Sequence, residues 1–209
     1  MKRSPFSSVF KGGTVDESRH FLRIAAQAFA RKGYHRTTVD EVAGALGVAK
    51  GTIYYHFKSK EELYLAVIHE GIYLLEERMR ASISDVETPA EKIKKIIGCI
   101  LSFVEKESDL IFLFIKELCG TEIQRTVQAQ MLCGGFKIIH NVLEEGLANG
   151  SFKNVNAEIT ARSLYGMIII SALHYLSFSE TIPHDQVIES VEKVFLEGTL
   201  AVEHRGDNS

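Results

Sequence analysis

Residues 38–60, TVDEVAGALGVAKGTIYYHFKSK, constrain the fold of this chain more than any other segment. Two short amphipathic helix patterns flank the dipeptide Gly47-Val48. The second pattern mixes small, basic and aromatic residues and contains no acid, which suits a DNA groove better than a protein core. Two such helices around a glycine turn predict a helix-turn-helix, with the second helix as the recognition helix.

Charge is divided along the chain in a way that agrees with this prediction. Residues 1–60 hold 11 Lys and Arg against 4 Asp and Glu, a balance of +7, whereas residues 61–209 hold 13 against 23, a balance of −10. The positive excess therefore coincides with the helix-turn-helix and indicates a module that binds a polyanion. The acidic remainder indicates a second part that does not.

Helix signals continue through the whole chain. Apolar spacing predicts helix 1 over Val15–Lys32, and Gly33 fits the residue after its end. The capping boxes Thr38-Val-Asp-Glu41 and Ser59-Lys-Glu-Glu62 start helices 2 and 4, and helix 4 extends to about Ile83. The remaining helices are predicted over Ala49–Phe57, 89–106, from Ser108 through the LIFLFI run, 121–148, 157–178 and 184–203. The fold class is therefore all-α, with about nine helices.

Other classes of protein find little support in the residues. Cys99, Cys119 and Cys133 lie in apolar helical patterns without metal-site spacing, so we expect buried free thiols, no metal and no cofactor. The eight His are dispersed and no HExxH or GxSxG motif occurs, so we expect no enzyme. The uncharged run over residues 164–179 is short for a membrane span, and the first residues lack the apolar segment of a signal peptide. We therefore expect a cytoplasmic protein without a membrane partner.

A specific pattern of residues extends over 21–64. It consists of Ala25…Phe29…Gly33-Tyr34, Thr37-Thr38, Ala43…Gly47-Val48, and GTIYYHF at 51–57 followed by Ser59-Lys60. In these residues the chain resembles the tetracycline-repressor (TetR) family of bacterial transcription regulators. Residues 65–209 match the family in length and helix count. Ala49 departs from the Ser or Thr that is common there, which removes a side-chain cap.

The resemblance implies an all-α homodimer whose first three helices bind DNA and whose remaining helices bind a ligand and dimerise. Members of the family mostly repress transcription and release DNA when a small molecule binds. Applied to this chain, it implies a flexible basic arm at 1–14, a helix-turn-helix DNA-binding domain at 15–62, and an effector-binding and dimerisation domain at 63–209.

The DNA contacts implied by the resemblance have a physical reason in each case. Lys50 and Thr52 lie where a recognition helix reaches base edges, and Gly51 lets the backbone approach closely. Aromatic and imidazole side chains offer donors to phosphates and flat faces to thymine methyl groups, although Tyr54 has the alternative of packing against helix 1. Residues at helix starts favour phosphates. The full set is Thr37, Thr38, Lys50, Gly51, Thr52, Tyr54, Tyr55, His56 and Lys60.

The C-terminal helices predict an effector site and a dimer seam. Apolar stretches of helices 5–8 with a few polar groups are typical of a small-molecule cavity, although each aromatic residue has the alternative of ordinary core packing. The candidates are Phe103, Phe112, Glu117, Phe136, His140, Tyr165 and His174. Small and apolar stripes on helices 8 and 9 predict a four-helix seam between two copies.

Together these features predict a ligand-responsive, DNA-binding transcriptional regulator. We expect a repressor that a lipophilic small molecule releases from a palindromic operator. The alternative is a DNA-binding dimer that is regulated by redox chemistry or by a partner and has no small-molecule effector.

Overall fold

A computed structural model describes the backbone of residues 15–119, 125–178 and 184–200, and the side chains of 20–114, 134–171, 174 and 185–200. Nine α-helices occupy these ranges, which confirms the all-α prediction. They are α1 (Val15–Arg36), α2 (Val39–Leu46), α3 (Lys50–His56), α4 (Lys60–Ser82), α5 (Pro89–Lys106), α6 (Ser108–Cys119), α7 (Arg125–Ala148), α8 (Ala157–Phe178) and α9 (His184–Thr199). An isolated antiparallel bridge joins Phe152 to Leu200.

Several helix ends agree with the local capping signals of the sequence. The Glu41 amide donates to Thr38 Oγ1 at 3.2 Å and the Thr38 amide donates to the Glu41 carboxylate at 2.9 Å, so both halves of the predicted capping box form. Gly47 then ends α2 with φ 67°. Before α8, the Ile159 amide donates to Asn156 Oδ1 at 2.9 Å. These side chains satisfy amides that the helix itself leaves unpaired.

Several helix bounds differ from the prediction. The segment α1 continues past Gly33 to Arg36 across a kink, because Gly33 adopts φ 79° and ψ 164° and the chain then resumes a helical turn. The predicted end of helix 9 at residue 203 moves back to Thr199, whose carbonyl accepts from the Lys153 amide at 2.7 Å. The predicted start of helix 7 and residues 201–203 lie outside the described residues.

The chain divides into two compact units, Met1–Leu75 with Val104–Leu132, and Glu76–Phe103 with Cys133–Ser209. The division cuts α4 after Leu75, and the functional boundary at residue 62 remains a prediction. In the first unit α1 packs against α2 and α6. Its buried side chains include Phe21, Leu22, Phe29, Val42, Ile53 and Leu63.

An ion pair joins α1 to the start of α6 within the first unit. Arg23 Nε and Nη2 donate to the two oxygens of Glu107 at 3.0 and 2.8 Å. The Glu107 side chain is 3% exposed, whereas that of Arg23 is 61% exposed. This two-point contact fixes the orientation of a buried carboxylate against α1.

The LIFLFI run of α6 is less uniformly buried than its composition predicts. Leu110, Ile111, Leu113 and Phe114 are buried, but Phe112 is 42% exposed. A helix that is apolar on all sides is expected to be buried or to line a cavity. Phe112 is not buried within this chain, and its place beside a cavity remains a prediction.

The second unit has a core of aliphatic residues from α5 and close approaches at glycines of α7. The buried residues of α5 include Ile93, Ile96, Ile97, Ile100 and Leu101. At Gly146 the ring of Phe152 occupies the space that a Cβ would need. By contrast, a Cβ at Gly98 of α5 would meet nothing within 4 Å.

These two glycines give a matched test of the second unit. We expect Gly146→Ala to destabilise the protein by about 1–3 kcal/mol because the Phe152 ring must move. We expect Gly98→Ala to be neutral or to stabilise by up to about 1 kcal/mol, because alanine favours helix where space is open. Urea denaturation at a fixed protein concentration measures both, and equal effects of the two changes would contradict the packing described at Gly146.

Candidate DNA interface and effector region

The recognition helix α3 is anchored by two inward side chains. Ile53 and Phe57 are 2% and 5% exposed, and the Phe57 ring stacks on that of Phe21 with centroids 6.2 Å apart. Because these two residues hold one side of a seven-residue helix, the other side faces outward. Its exposed residues are Lys50, Gly51, Thr52, Tyr54 and Tyr55.

The two tyrosines of α3 have large solvent-exposed fractions. Tyr55 is 77% exposed and Tyr54 is 45% exposed. The Tyr55 ring meets the ring of half-buried His56 edge-on, with centroids 4.9 Å apart. Nearly half of Tyr54 therefore remains available to a partner, so the alternative of packing against α1 does not remove it from the surface.

The start of α3 carries no polar cap. Ala49 makes no side-chain hydrogen bond at the cap position, as its methyl side chain predicts. Gly51 borders open space, because a Cβ there would meet nothing within 4 Å. Packing inside the chain therefore does not explain glycine at this position, and the close approach of DNA at Gly51 remains a prediction.

Lys50 does not stand alone at the start of α3. Its Nζ lies 2.6 Å from Asp40 Oδ2 on α2 and 5.9 Å from the centroid of the Tyr54 ring. The hydrogen bond to Asp40, followed by the charge of that carboxylate, raises the pKa of Lys50. The sequence analysis missed Asp40, because an ion pair across the turn has no signature in the spacing of residues.

The two threonines before α2 have different surroundings. Thr37 is 1% exposed, and its hydroxyl donates to the carbonyls of Gly33 at 2.8 Å and Ala28 at 3.2 Å. Thr38 is exposed while its oxygen serves the capping box. The geometry thus gives the Thr37 side chain a place in the junction of α1 and α2, and leaves Thr38 at the surface.

Lys60 makes contacts that its position at the start of α4 did not predict. Its Nζ donates to the carbonyls of Tyr34 at 3.0 Å and His35 at 3.2 Å, and lies 4.5 Å from the centroid of the Tyr34 ring. The ammonium ion therefore stabilises the carbonyl end of the last turn of α1. The sequence carried no signal for this contact, because it depends on how α1 and α4 meet.

The candidate effector residues of α5 and α7 lie beside cationic side chains of the second unit. Phe103 is 1% exposed, and the guanidinium carbon of Arg78 lies 4.9 Å from its ring centroid. The ring of half-buried Phe136 has the guanidinium carbon of Arg162 at 4.9 Å and the ring of His140 at 5.8 Å. Cation–π contacts of this kind orient aromatic rings.

Tyr165 combines an enclosed hydroxyl with a close approach to α7. A Cβ at Gly135 would lie 3.2 Å from Tyr165 Cε2 and 3.5 Å from Met79 Sδ. Burial, followed by the nearby Glu76 carboxylate, raises the pKa of Tyr165 to about 12. The phenol is protonated at neutral pH, as tyrosine ordinarily is, and its hydroxyl can donate a hydrogen bond.

The other predicted effector and cysteine residues are less informative. His174 and Phe112 are exposed, and the side chain of Glu117 lies outside the described residues, as do those of Cys119 and Cys133. Cys99 is a free thiol. Burial raises its pKa, against smaller lowering effects of a hydrogen bond with Ser82 and the charge of Arg78. No His, Cys, Asp or Glu cluster suited to a metal ion occurs within the described side chains.

Comparison with protein-family models decides the family. The model of bacterial regulatory proteins of the tetR family matches residues 21–67, and the model of a tetracyclin repressor-like C-terminal domain matches residues 86–175. The chain belongs to the tetR family. The two matches cover both the helix-turn-helix and most of the helices that follow it.

Relatives of this tetR-family regulator extend over most of its length. The fatty acid metabolism regulator protein of Bacillus subtilis is 29% identical over 149 residues, which are 70% of this chain and 77% of the relative. The transcriptional activator FasR of Mycolicibacterium smegmatis is 29% identical over 175 residues, which are 83% and 79% of the two chains. The solved structure of FadR from Bacillus subtilis with stearoyl-CoA is 25% identical to this chain and has a TM-score of 0.79. The match covers 86% of this chain and 98% of the FadR chain.

The tetR-family protein is therefore a DNA-binding transcriptional regulator, and its family consists of regulators rather than enzymes. Within the described ranges, no helix is both long and apolar enough to cross a membrane. The helix-turn-helix predicted from the sequence is confirmed as a fold element. The individual DNA and effector contacts remain predictions.

Two lysines of the candidate interface are expected to have separable effects on DNA binding. We expect Lys60→Ala to weaken binding to all sequences alike and to make the slope of log affinity against log salt less negative by about one per chain, since one phosphate contact is lost. We expect Lys50→Ala to change which bases are preferred, by about 1–3 kcal/mol at the position it contacts. Selection from randomised duplexes and salt titrations measure both effects. An altered preference with Lys60→Ala and an unchanged one with Lys50→Ala would reverse the two roles.

Proposed function

We propose that this protein is a repressor that binds a palindromic operator as a homodimer in the cytoplasm and is released by a lipophilic acyl-type molecule. The observation that carries the DNA-binding part is the outward face of α3. Ile53 and Phe57 anchor this helix, while Tyr55 is 77% exposed beside Lys50 and Thr52. A surface of cationic, hydroxyl and aromatic groups without an acid on the same helix fits a major groove.

The proposed contacts divide into base readout and positioning. Lys50, Gly51 and Thr52 face base edges, since they lie on the first turn of α3. Tyr54, Tyr55, His56, Thr38 and Lys60 position the protein on phosphates and on thymine methyl groups. Thr37 is left out of this set, because its buried hydroxyl already donates to two carbonyls of α1. Lys60 contributes through its charge while it also closes the end of α1.

An exposed stripe on α8 supports the proposed dimer. The residues Ile159, Ser163, Gly166 and Ile170 recur at three- and four-residue steps, and each is exposed in this chain. Ile159 and Ile170 are 64% and 66% exposed, and Val194 on the adjacent α9 is 65% exposed. Apolar residues around a small residue favour close packing of a second helix pair.

Gly166 offers a sharp test of the dimer seam. A Cβ at Gly166 would meet nothing within 4 Å in the chain, so Gly166→Leu has room in the monomer. We expect it to block the approach of a second copy, so that light scattering shows a monomer at micromolar concentration and binding to a palindromic duplex is lost. Ala81→Leu, which enlarges an exposed residue of α4, is the control. A Gly166→Leu protein that remains a dimer would rule out the proposed seam.

The effector part is supported by the relatives together with the second unit. FadR of Bacillus subtilis was solved with stearoyl-CoA, and the FadR chain is covered almost completely. In this chain Phe103, Phe136 and Tyr165 supply aromatic surface, and Arg78 and Arg162 lie over two of these rings. An acyl chain suits the aromatic surface, and the guanidinium groups suit an anionic head group.

Stearoyl-CoA is therefore the probe for the effector. We expect it to raise the melting temperature and to weaken operator binding; a preference of about 100-fold for the DNA-free state, or ~2.7 kcal/mol, suffices for a useful switch. Free stearate and coenzyme A alone are the controls for its two halves. Tyr165→Phe should reduce the rise in melting temperature that stearoyl-CoA causes, because the protonated hydroxyl is lost. Tyr73→Phe on α4 should leave that rise unchanged. The absence of both stabilisation and DNA release would refute an acyl effector.

The alternative of redox control receives no support from Cys99. The raised pKa keeps this thiol protonated at neutral pH, and the thiolate is the reactive form. We therefore expect that thiol-blocking reagents do not change DNA binding by way of Cys99.

A further inference from the structure

An exposed arginine ends α1 at the point where three helices of the first unit meet. Arg36 is the last residue of α1 and precedes Thr38, the cap of α2, by two residues. The Lys60 ammonium ion at the start of α4 donates to the carbonyl of His35, directly before Arg36, at 3.2 Å. The Arg36 side chain is exposed. Arg36 therefore lies between two helix starts, at Thr38 and Lys60, and the start of a helix favours a phosphate.

Most of the hydrogen-bonding capacity of Arg36 is not used within the described part of the chain. Its Nε donates to the Lys32 carbonyl at 3.1 Å, which leaves the N–H groups of both Nη atoms. The acids of the neighbouring first turn of α2 have other partners, since Glu41 pairs with Lys32 and Asp40 pairs with Lys50. No carboxylate of the described residues pairs with Arg36.

A structural role at the end of α1 does not require an arginine. A cation near a helix C-terminus stabilises its last carbonyls, and this effect is modest at an exposed position. Lys60 already satisfies the neighbouring carbonyls of Tyr34 and His35. The planar guanidinium group of Arg36 has donors beyond that role, and their fork matches the geometry of a phosphate.

We propose that Arg36 is a further positioning residue for DNA binding, whose guanidinium group contacts one backbone phosphate in each half-site, beside the phosphate of Lys60. The inference rests on the proposed function, in which Thr38 and Lys60 lie on phosphates. A guanidinium group binds a phosphate through two parallel hydrogen bonds, and the contact carries no sequence information. Arg36 therefore helps to fix the register of the recognition helix on the duplex without reading a base.

Arg36→Gln tests the contact because it removes the charge and keeps a polar side chain. The probes are a duplex that the wild-type protein selects from a randomised pool and a scrambled duplex of the same length. We expect the slope of log affinity against log salt to become less negative by about one per chain on both duplexes. We expect the ratio of the two affinities to change by less than about twofold, since no base contact is lost. Arg36→Lys, which keeps the charge, should retain a slope near that of the wild type.

Ethylation of single phosphates locates the contact, and a purely structural role of Arg36 would not change its result. We expect wild-type binding to the selected duplex to be weakened by ethylation at a phosphate in each half-site to which Arg36→Gln has become insensitive. All other phosphates should keep their effect. The phosphate that loses its effect should neighbour the one that loses it in Lys60→Ala.

Arg31→Gln is the matched control for charge. Arg31 is also an exposed arginine of α1, but it lies before the break at Gly33 and borders the groove between α1 and α2. We expect it to change the salt slope by less than about half as much as Arg36→Gln does, and no phosphate should lose its effect. Thermal unfolding of each variant shows that the compared proteins are folded.

The outcomes distinguish this inference from the proposed function. An unchanged slope in Arg36→Gln, or sensitivity retained at every phosphate, would overturn the contact of Arg36 while DNA binding by α3 stands. Equal effects of Arg31→Gln and Arg36→Gln would show a general effect of charge and would overturn it as well. A wild-type protein that selects no duplex from the pool would overturn both proposals. A reduced slope together with one insensitive phosphate in each half-site, found for Arg36→Gln alone, supports the inference.

Discussion

The left-handed backbone at Gly33 is the constraint on which the geometry of the DNA-binding helices depends. With φ 79° and ψ 164°, this residue breaks α1 and turns its carbonyl toward the Thr37 amide and hydroxyl. Past the break, the carbonyls of Tyr34 and His35 accept from Lys60 at the start of α4. One glycine therefore sets the relation of α1 both to α2 and to the beginning of α4. A residue with a Cβ would be strained in this conformation, which explains glycine at this point of the family pattern.

The recognition helix depends on this junction because it is too short to be stable alone. Its seven residues form fewer than two full turns in total, and Ala49 supplies no side-chain cap. Ile53 and Phe57 hold it instead, through a core built on α1, and Gly47 sets the turn that leads to it. Stability is thus supplied mainly by the helices around α3, through its inward side chains.

The sequence predicted those parts of the structure whose cause is local. The predicted starts of α5 at residue 89 and of α8 at residue 157 are confirmed, because the caps Thr88 and Asn156 act on the amides of the first turn. The buried residues Ile53 and Phe57 lie four positions apart, which places both on one side of α3. Contacts between distant segments could not be predicted in this way. The bond of Lys60 to Tyr34 and the pair of Lys50 with Asp40 depend on how helices meet, and the burial of Thr37 depends on the carbonyl that Gly33 turns toward it.

The ion pair of Arg23 with Glu107 links two positions that are 84 residues apart in the chain. Its carboxylate side chain is 3% exposed, so loss of the guanidinium leaves a negative charge in a place that water barely reaches. Substitution at one of these positions is therefore tolerated best when the other changes with it. Across related proteins, the two positions should vary together, as a charged pair or as a pair of apolar residues, and rarely as one charge opposite a neutral group. Covariation of positions 23 and 107 would then show that the contact between α1 and α6 is kept as related proteins diverge.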